Sequence, residues 1–220
     1  MFPGKIPPSF LLFGLLLVVL VIVIQIEVFT LVLSRLGLSP SSASLLLVVT
    51  FFGSTLNLPL GSVSSAFNYT DNKTLQRLFT SQPFQEGRTL ITINVGGGLI
   101  PVLFSGYLML TAGINISLVI LAVCVIGVVS YVFSRPIAHI GIGMPLFIAP
   151  ISAAFTAMIL SPENAPALAY ICGSLGVVVG ADLMRIKDIQ QLNTPVASIG
   201  GAGTFDGIFM TGIIAVLLTY

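Results

Sequence analysis

Seven stretches of roughly membrane-spanning length, each nearly free of charge, leave this chain few ways to fold. They run from Phe10 to Leu33, Ala43 to Val63, Leu90 to Thr111, Ile116 to Phe133, Ile140 to Leu160, Ala165 to Leu183 and Ile199 to Tyr220. A bilayer core about 30 Å thick takes about 20 helical residues, so each segment reads as one crossing. Composition closes off the water-soluble alternative: 56% of residues are hydrophobic and 7% are charged, against about 25% charged in an ordinary soluble domain. So few charges cannot cover a water-facing surface, and the surplus apolar residues must face lipid. The sequence predicts an all-α membrane protein of about seven transmembrane helices, several broken by Gly or Pro. They form a single transmembrane domain over residues 1–220, with a polar loop at about 64–89. The opening MFPGKIPPS and the run after it exceed a signal-peptide core and lack a small-residue cleavage site, which makes Phe10 to Leu33 a retained first span.

The basic residues give this arrangement an orientation. Lys5, Lys73, Arg77, Arg88, Arg135, Arg185 and Lys187 fall on one side of the seven-span scheme and Arg35 alone on the other. Positive-inside then puts the amino terminus in the cytoplasm and the carboxyl terminus outside. The glycosylation-like triplets at Asn68 and Asn72 face the cytoplasm in this scheme, and the one at Asn115 hugs a very short outer loop.

Several function classes drop out. A net charge of +1 with no basic cluster gives nucleic acid nothing to bind. Cys124 and Cys172 each lie inside apolar runs and read as packing residues. The chain has no H-E-x-x-H, no G-x-S-x-G, no Walker A sequence and no Cys/His cluster, so no cofactor or metal is expected. The expected partners are the lipid bilayer and a membrane peptide, small solute or ion.

The rare charges inside the spans are the candidates for chemistry, because each costs about 2.5 to 3.5 kcal/mol to insert. They are Glu27, Asp182 and Asp206. Counting inward from Tyr220 puts Asp206 about 9 Å inside the cytoplasmic edge, and counting from Arg185 puts Asp182 about 4 to 5 Å inside it. Their helices are joined by a short connection and are expected to be antiparallel neighbours. Two carboxyls brought together cannot both ionise easily and come to share a proton. Such a pair can activate water and protonate a leaving amine. The plainer readings are an interfacial Asp182–Arg185 pair three residues apart and an Asp206 that caps the last helix. Glu27 snorkels or bonds a neighbouring helix, or else serves as an outer-leaflet ion ligand. His139 reads as an interfacial structural residue.

Gly and Pro mark where backbone near these charges departs from helix. GSLGVVVGADL sets Gly173, Gly176 and Gly180 at small-residue spacing, suited to close helix packing. SIGGAGTFDG cannot hold a helix through its glycines, and irregular backbone at this depth must be buried in protein or line water. Asn57 beside Pro59, Asn94 before Pro101, and the Gly201, Gly203 and Thr204 stretch are therefore the candidate substrate- or ion-binding positions, with packing as the alternative for the amides. INVGGGLIPVLFSGYLML from Ile93 also echoes SIGGAGTFDGIFMTGIIAVLL from Ser198. Spans one to three and five to seven would then be parallel repeats joined by span four.

At NVGGGLIPV, APALAYICGSLGVVVGADL and SIGGAGTFDGIFMTGIIAVLL the chain resembles a family of small prokaryotic integral membrane proteins of unknown function, from about Gly53 onward. That resemblance implies a bacterial or archaeal cytoplasmic membrane and brings no activity. More distantly, the chain is similar to the intramembrane aspartic proteases of the presenilin, signal peptide peptidase and prepilin peptidase group. Those carry one aspartate on one helix and a second in a Gly-x-Gly-Asp motif, both toward the cytoplasm. The likeness implies catalytic roles for Asp182 and Asp206. The sequence departs from the pattern in placing two residues between Gly203 and Asp206 and no Tyr before Asp182.

Overall fold

The computed structural model describes residues 8–65, 87–137, 141–191, 194–201 and 207–219. Its helices are α1 (Pro8–Arg35), α2 (Pro40–Gly53), α3 (Ile100–Thr111), α4 (Ile116–Phe133), α5 (Ile148–Leu160), α6 (Ala165–Val177) and α7 (Gly207–Leu218). Its strands are β1 (Asn57–Ser64), β2 (Arg88–Asn94), β3 (Arg135–Ile137), β4 (Gly141–Gly143) and β5 (Val196–Ile199). π-helical turns lead into α3 at Val95–Leu99 and continue α6 at Val178–Leu183.

Helix predominates, yet the expected all-α architecture is corrected by these strands. Three stretches are long and apolar enough to cross a membrane: Leu12–Arg35, Ile116–Phe133 and Pro162–Leu183. The other four apolar segments are composites of a short helix and extended chain. Ala43 to Val63 leaves the helix after Gly53 and runs on as β1, where Pro59 cannot continue a helix. Leu90 to Thr111 opens on the β-branched run TLITIN, which forms β2. Ile140 to Leu160 begins in β4 with two glycines, and the last segment begins at the end of β5. Apolarity was read correctly in all four; its period was not.

The chain divides into two compact units, residues 1–47 and 48–220. In the first, α1 ends in a glycine-terminated cap. Gly37 takes φ +86°, and the N–H groups of Leu38 and Gly37 donate back to the carbonyls of Leu33 and Ser34. Ser39 then caps the start of α2 by accepting from the Ser42 N–H at 3.2 Å. The α1 side chains are exposed along nearly its whole length, Glu27 among them.

The second unit is organised around α6, whose residues Leu168 to Ser174 are fully buried. It packs against α3, α4, α5 and α7. The α6 glycines serve different neighbours rather than one face. Gly173 meets Thr211 of α7 and Ala153 of α5, whereas Gly176 and Gly180 press on Ile126, Gly127 and Ser130 of α4. Tyr170 is held between Phe104, edge to face at 5.0 Å, and Gly212 of α7. The outward sides of α3, α4 and α5 expose Leu103, Leu110, Ile120, Val128, Phe155 and Ile159, the apolar surface that a bilayer requires.

The main sheet has the order β1-β2-β5, with β1 antiparallel and β5 parallel to β2; β3 and β4 form a separate antiparallel pair. Ile91, Ile93, Ala197 and Ile199 share one face of the sheet and pack into a cluster with Val177, Val178, Ala181, Ile189 and Ile208. Each of the two segments that echo each other in sequence has a strand near its start and a helix after it among the described residues. Ile93 lies opposite Ile199 in the parallel register, and beyond the two strands Gly97 and Gly98 press directly on Gly200.

A Cβ at position 97 would fall on the Gly200 carbonyl oxygen, whereas one at Gly106, in α3, would enter open space. Gly97→Ala is expected to cost about 1 to 3 kcal/mol through overpacking. Gly106→Ala is expected to be neutral or stabilising by up to about 1 kcal/mol. Thermal melting in detergent micelles compares the two directly.

Candidate functional site

Asn94 is the last residue of β2 and is fully buried. A buried amide must find partners for its oxygen and both hydrogens or lose about 1 to 3 kcal/mol for each group left alone. Its Oδ1 accepts from the Gly97 N–H at 2.7 Å, capping the π-turn that opens α3. Its Nδ2 donates to the Ser54 carbonyl at 2.7 Å and to Asn57 Oδ1 at 3.1 Å. Asn57 Oδ1 also accepts from Ser198 Oγ at 3.0 Å. One amide pair therefore joins the end of α2, the start of β1, the end of β2 and β5.

The two amides expected at binding positions are thus brought together. Asn57 is exposed and available to a ligand, whereas Asn94 is enclosed by its own partners. Behind them Thr92 is buried, with its hydroxyl unpartnered among the described residues. Strand side chains alternate between faces. Asn57, Thr92, Asn94 and Ser198 accordingly project from the face opposite the Ile91, Ile93 and Ile199 cluster. Gly201, at φ +80°, is half-buried and follows the Gly200 contact.

Asp182 occupies the π-helical turn at the end of α6 and is half-buried. The preceding residue, Ala181, belongs to the buried cluster on the isoleucine face of the sheet, together with Ile208 from the first turn of α7. Antiparallel packing of α6 on α7, inferred from their closeness in sequence, is found: Thr211 and Gly212 lie beside Gly173 and Tyr170, while Ile208 joins Val177, Val178 and Ala181. Asp206, Gly203, Thr204 and His139 lie outside the described residues.

Arg185, which the sequence offers as a partner for Asp182, has a guanidinium engaged on several sides. Nη1 forms an ion pair with Asp188 at 2.9 Å. Nε donates to Ser134 Oγ at 3.1 Å, and Nη2 donates to the carbonyls of Tyr131 and Ser134 at 2.7 and 2.6 Å. The guanidinium also lies over the Tyr131 ring at 4.4 Å. Sequence reasoning took Arg185 as a marker of the membrane interface. Asp188 is a local partner three residues on, but Tyr131 and Ser134 lie about fifty residues away at the end of α4, and no local spacing signals them.

A family model described as "Protein of unknown function (DUF1614)" matches residues 51–218, nearly the whole second unit. No curated protein and no solved structure matches the chain.

Asn94→Leu is expected to lower stability by about 1 to 3 kcal/mol, because it strands the Ser54 carbonyl and the Gly97 N–H. Asn94→Asp, which keeps the acceptor and loses the donor, is expected to be no better. Ser198→Ala, on the exposed side of the pair, is expected to be milder than either. Melting curves and protease sensitivity of the three variants in one detergent test this order.

Proposed function

Because the chain belongs to the DUF1614 family, whose description assigns no activity, its chemistry has to be read from its own residues, and we propose that it is an intramembrane aspartic-protease-like enzyme. Asp182 and Asp206 form the reacting pair near the cytoplasmic side. The substrate is a membrane-embedded or membrane-adjacent peptide. One observation carries this reading: Ala181 and Ile208 are packed in one buried cluster. Asp182 is bonded to the first, and Asp206 is two residues from the second.

In this scheme one carboxyl is ionised and the other protonated. The carboxylate takes a proton from water as its oxygen bonds to the peptide carbonyl carbon, while the acid stabilises the carbonyl oxygen. Collapse breaks the C–N bond, and a carboxyl proton goes to the leaving amine. Among the described strands, β5 pairs along one edge only. Such an edge suits an extended peptide, the conformation in which a scissile bond is reachable. The reading includes a cytoplasmic amino terminus and a prokaryotic cytoplasmic membrane, both from the sequence.

A second reading draws support from a different observation, the parallel β2–β5 pairing with glycine turns in contact. Halves built as parallel repeats around broken helices are a transporter arrangement, and the aspartates would then bind a proton or cation, with Asn57, Asn94 and Gly201 as further ligand positions.

Asp182→Asn and Asp206→Asn, made separately and reconstituted in lipid vesicles with a membrane-peptide reporter, separate the two. A protease pair acts as a unit, so either variant is expected to fall to the level of the double variant. Cleavage that persists in either single variant excludes the pair. Loss of proton- or cation-dependent flux in protein that cleaves nothing supports the transporter instead.

A further inference from the structure

The turn that carries Asp182 is unusual in its hydrogen bonding and in how both of its ends are fixed. Residues Val178–Leu183 are π-helical, and the turn closes with the Met184 N–H donating to the Val179 carbonyl at 2.9 Å. A π-turn holds one residue more than the α-helical turn it replaces and persists only where the surroundings enforce it. Here both flanks are pinned to α4. On the near side, Gly180 lies so close to the Gly127 carbonyl and the Ser130 side chain that no Cβ would fit. On the far side, the Arg185 fork holds the last carbonyls of α4 and the Ser134 hydroxyl. Carbonyls at a helix end lack the intrahelical N–H partners of the interior, which makes them strong partners for a guanidinium.

Four residues separate the two anchors, Asp182 among them. While both anchors hold, the extra residue has nowhere to go, and the wide turn is trapped. If the Arg185 anchor is released, the segment can relax to α-helical hydrogen bonding, which turns everything beyond the bulge by about 100° per residue removed.

We propose that Arg185 is a positioning residue: by clamping the end of α6 to the end of α4 it traps the π-turn and thereby fixes the direction and depth of the Asp182 carboxyl. The importance of that carboxyl rests on the protease reading above; the clamp itself does not. Lysine cannot replace the clamp, since one ammonium does not reproduce a planar fork that reaches two carbonyls, a hydroxyl and Asp188 together.

The test uses the full chain in membranes with Cys124→Ser and Cys172→Ala removing the native thiols. Asp182→Cys then reports the turn through its rate of modification by a water-soluble methanethiosulfonate. Arg185→Gln is expected to change that rate about tenfold, the shift that loss of one charged hydrogen bond produces. Arg185→Lys is expected to change it nearly as much, and Ser134→Ala to move it less in the same direction. A reporter at Ser161→Cys, just after α5 and four residues before the start of α6, is expected to keep its rate. An Asp182→Cys rate that stays within twofold in Arg185→Gln overturns the proposal, as does an equal change at the Ser161→Cys reporter. Should Arg185→Gln fail to accumulate, the decision falls to Ser134→Ala: an unchanged rate there also overturns the clamp. With Asp182 in place, Arg185→Gln is expected to lower kcat for peptide cleavage with little change in KM. If the thiol rates shift and wild-type protein cleaves nothing, the clamp stands and the protease reading fails. If wild-type protein cleaves and neither thiol rate nor kcat moves, the clamp alone fails.

Discussion

The meeting of three chain reversals without intervening side chains is the constraint on which the second unit is built. Gly96 lies against the Thr50 carbonyl and the Ser54 backbone, and Gly97 and Gly98 lie against Gly200. No other residue type permits backbone to approach backbone this closely. The approach brings α2, β2 and β5 into register, and Asn94 then ties them together by satisfying polar groups that the reversals leave over. In an apolar surrounding neither device works alone. Close packing without the amide would bury unpaired carbonyls, and the amide without the glycines would have no partners within reach.

The membrane character of the chain was legible because it depends on composition and run length, which a bilayer reads in the same terms. The strands were not, for a reason visible in Arg88 to Asn94. A short β-branched run bordered by glycines is apolar enough to pass for the start of a spanning helix, and only its partners, Asn57 to Ser64 and Val196 to Ile199, decide otherwise. The break near Pro59 was visible, but its consequence, a strand, was not. Likewise GSLGVVVGADL announced close packing correctly and misled about direction. Spacing alone made the glycines one stripe, while the structure divides them among α4, α5 and α7.

The candidate site was legible in proportion to how unusual its residues are. Carboxylates in apolar segments stand out, and the half-buried Asp182 lies on a backbone irregularity of the kind that often accompanies function. The pairing of Asn57 with Asn94 was anticipated only as proximity to broken helices. That the sheet would place them on the face opposite the Ala181 and Ile208 cluster follows from strand alternation, which becomes available once strands are known to exist. Arg185 shows the limit of local reading, because its partners other than Asp188 are set by how α6 crosses α4.

The parallel pairing of β2 with β5 has a consequence for the order in which the chain can assemble. Thr89 donates to the Thr194 carbonyl, 105 residues away, so one edge of β2 has no partner until most of the protein has been synthesised. An apolar helix can enter a bilayer by itself because its hydrogen bonds are internal, but a strand with open edges cannot. The β2–β5 edge can therefore close only after Val196 to Ile199 has been made, and the loop that it closes is a long one.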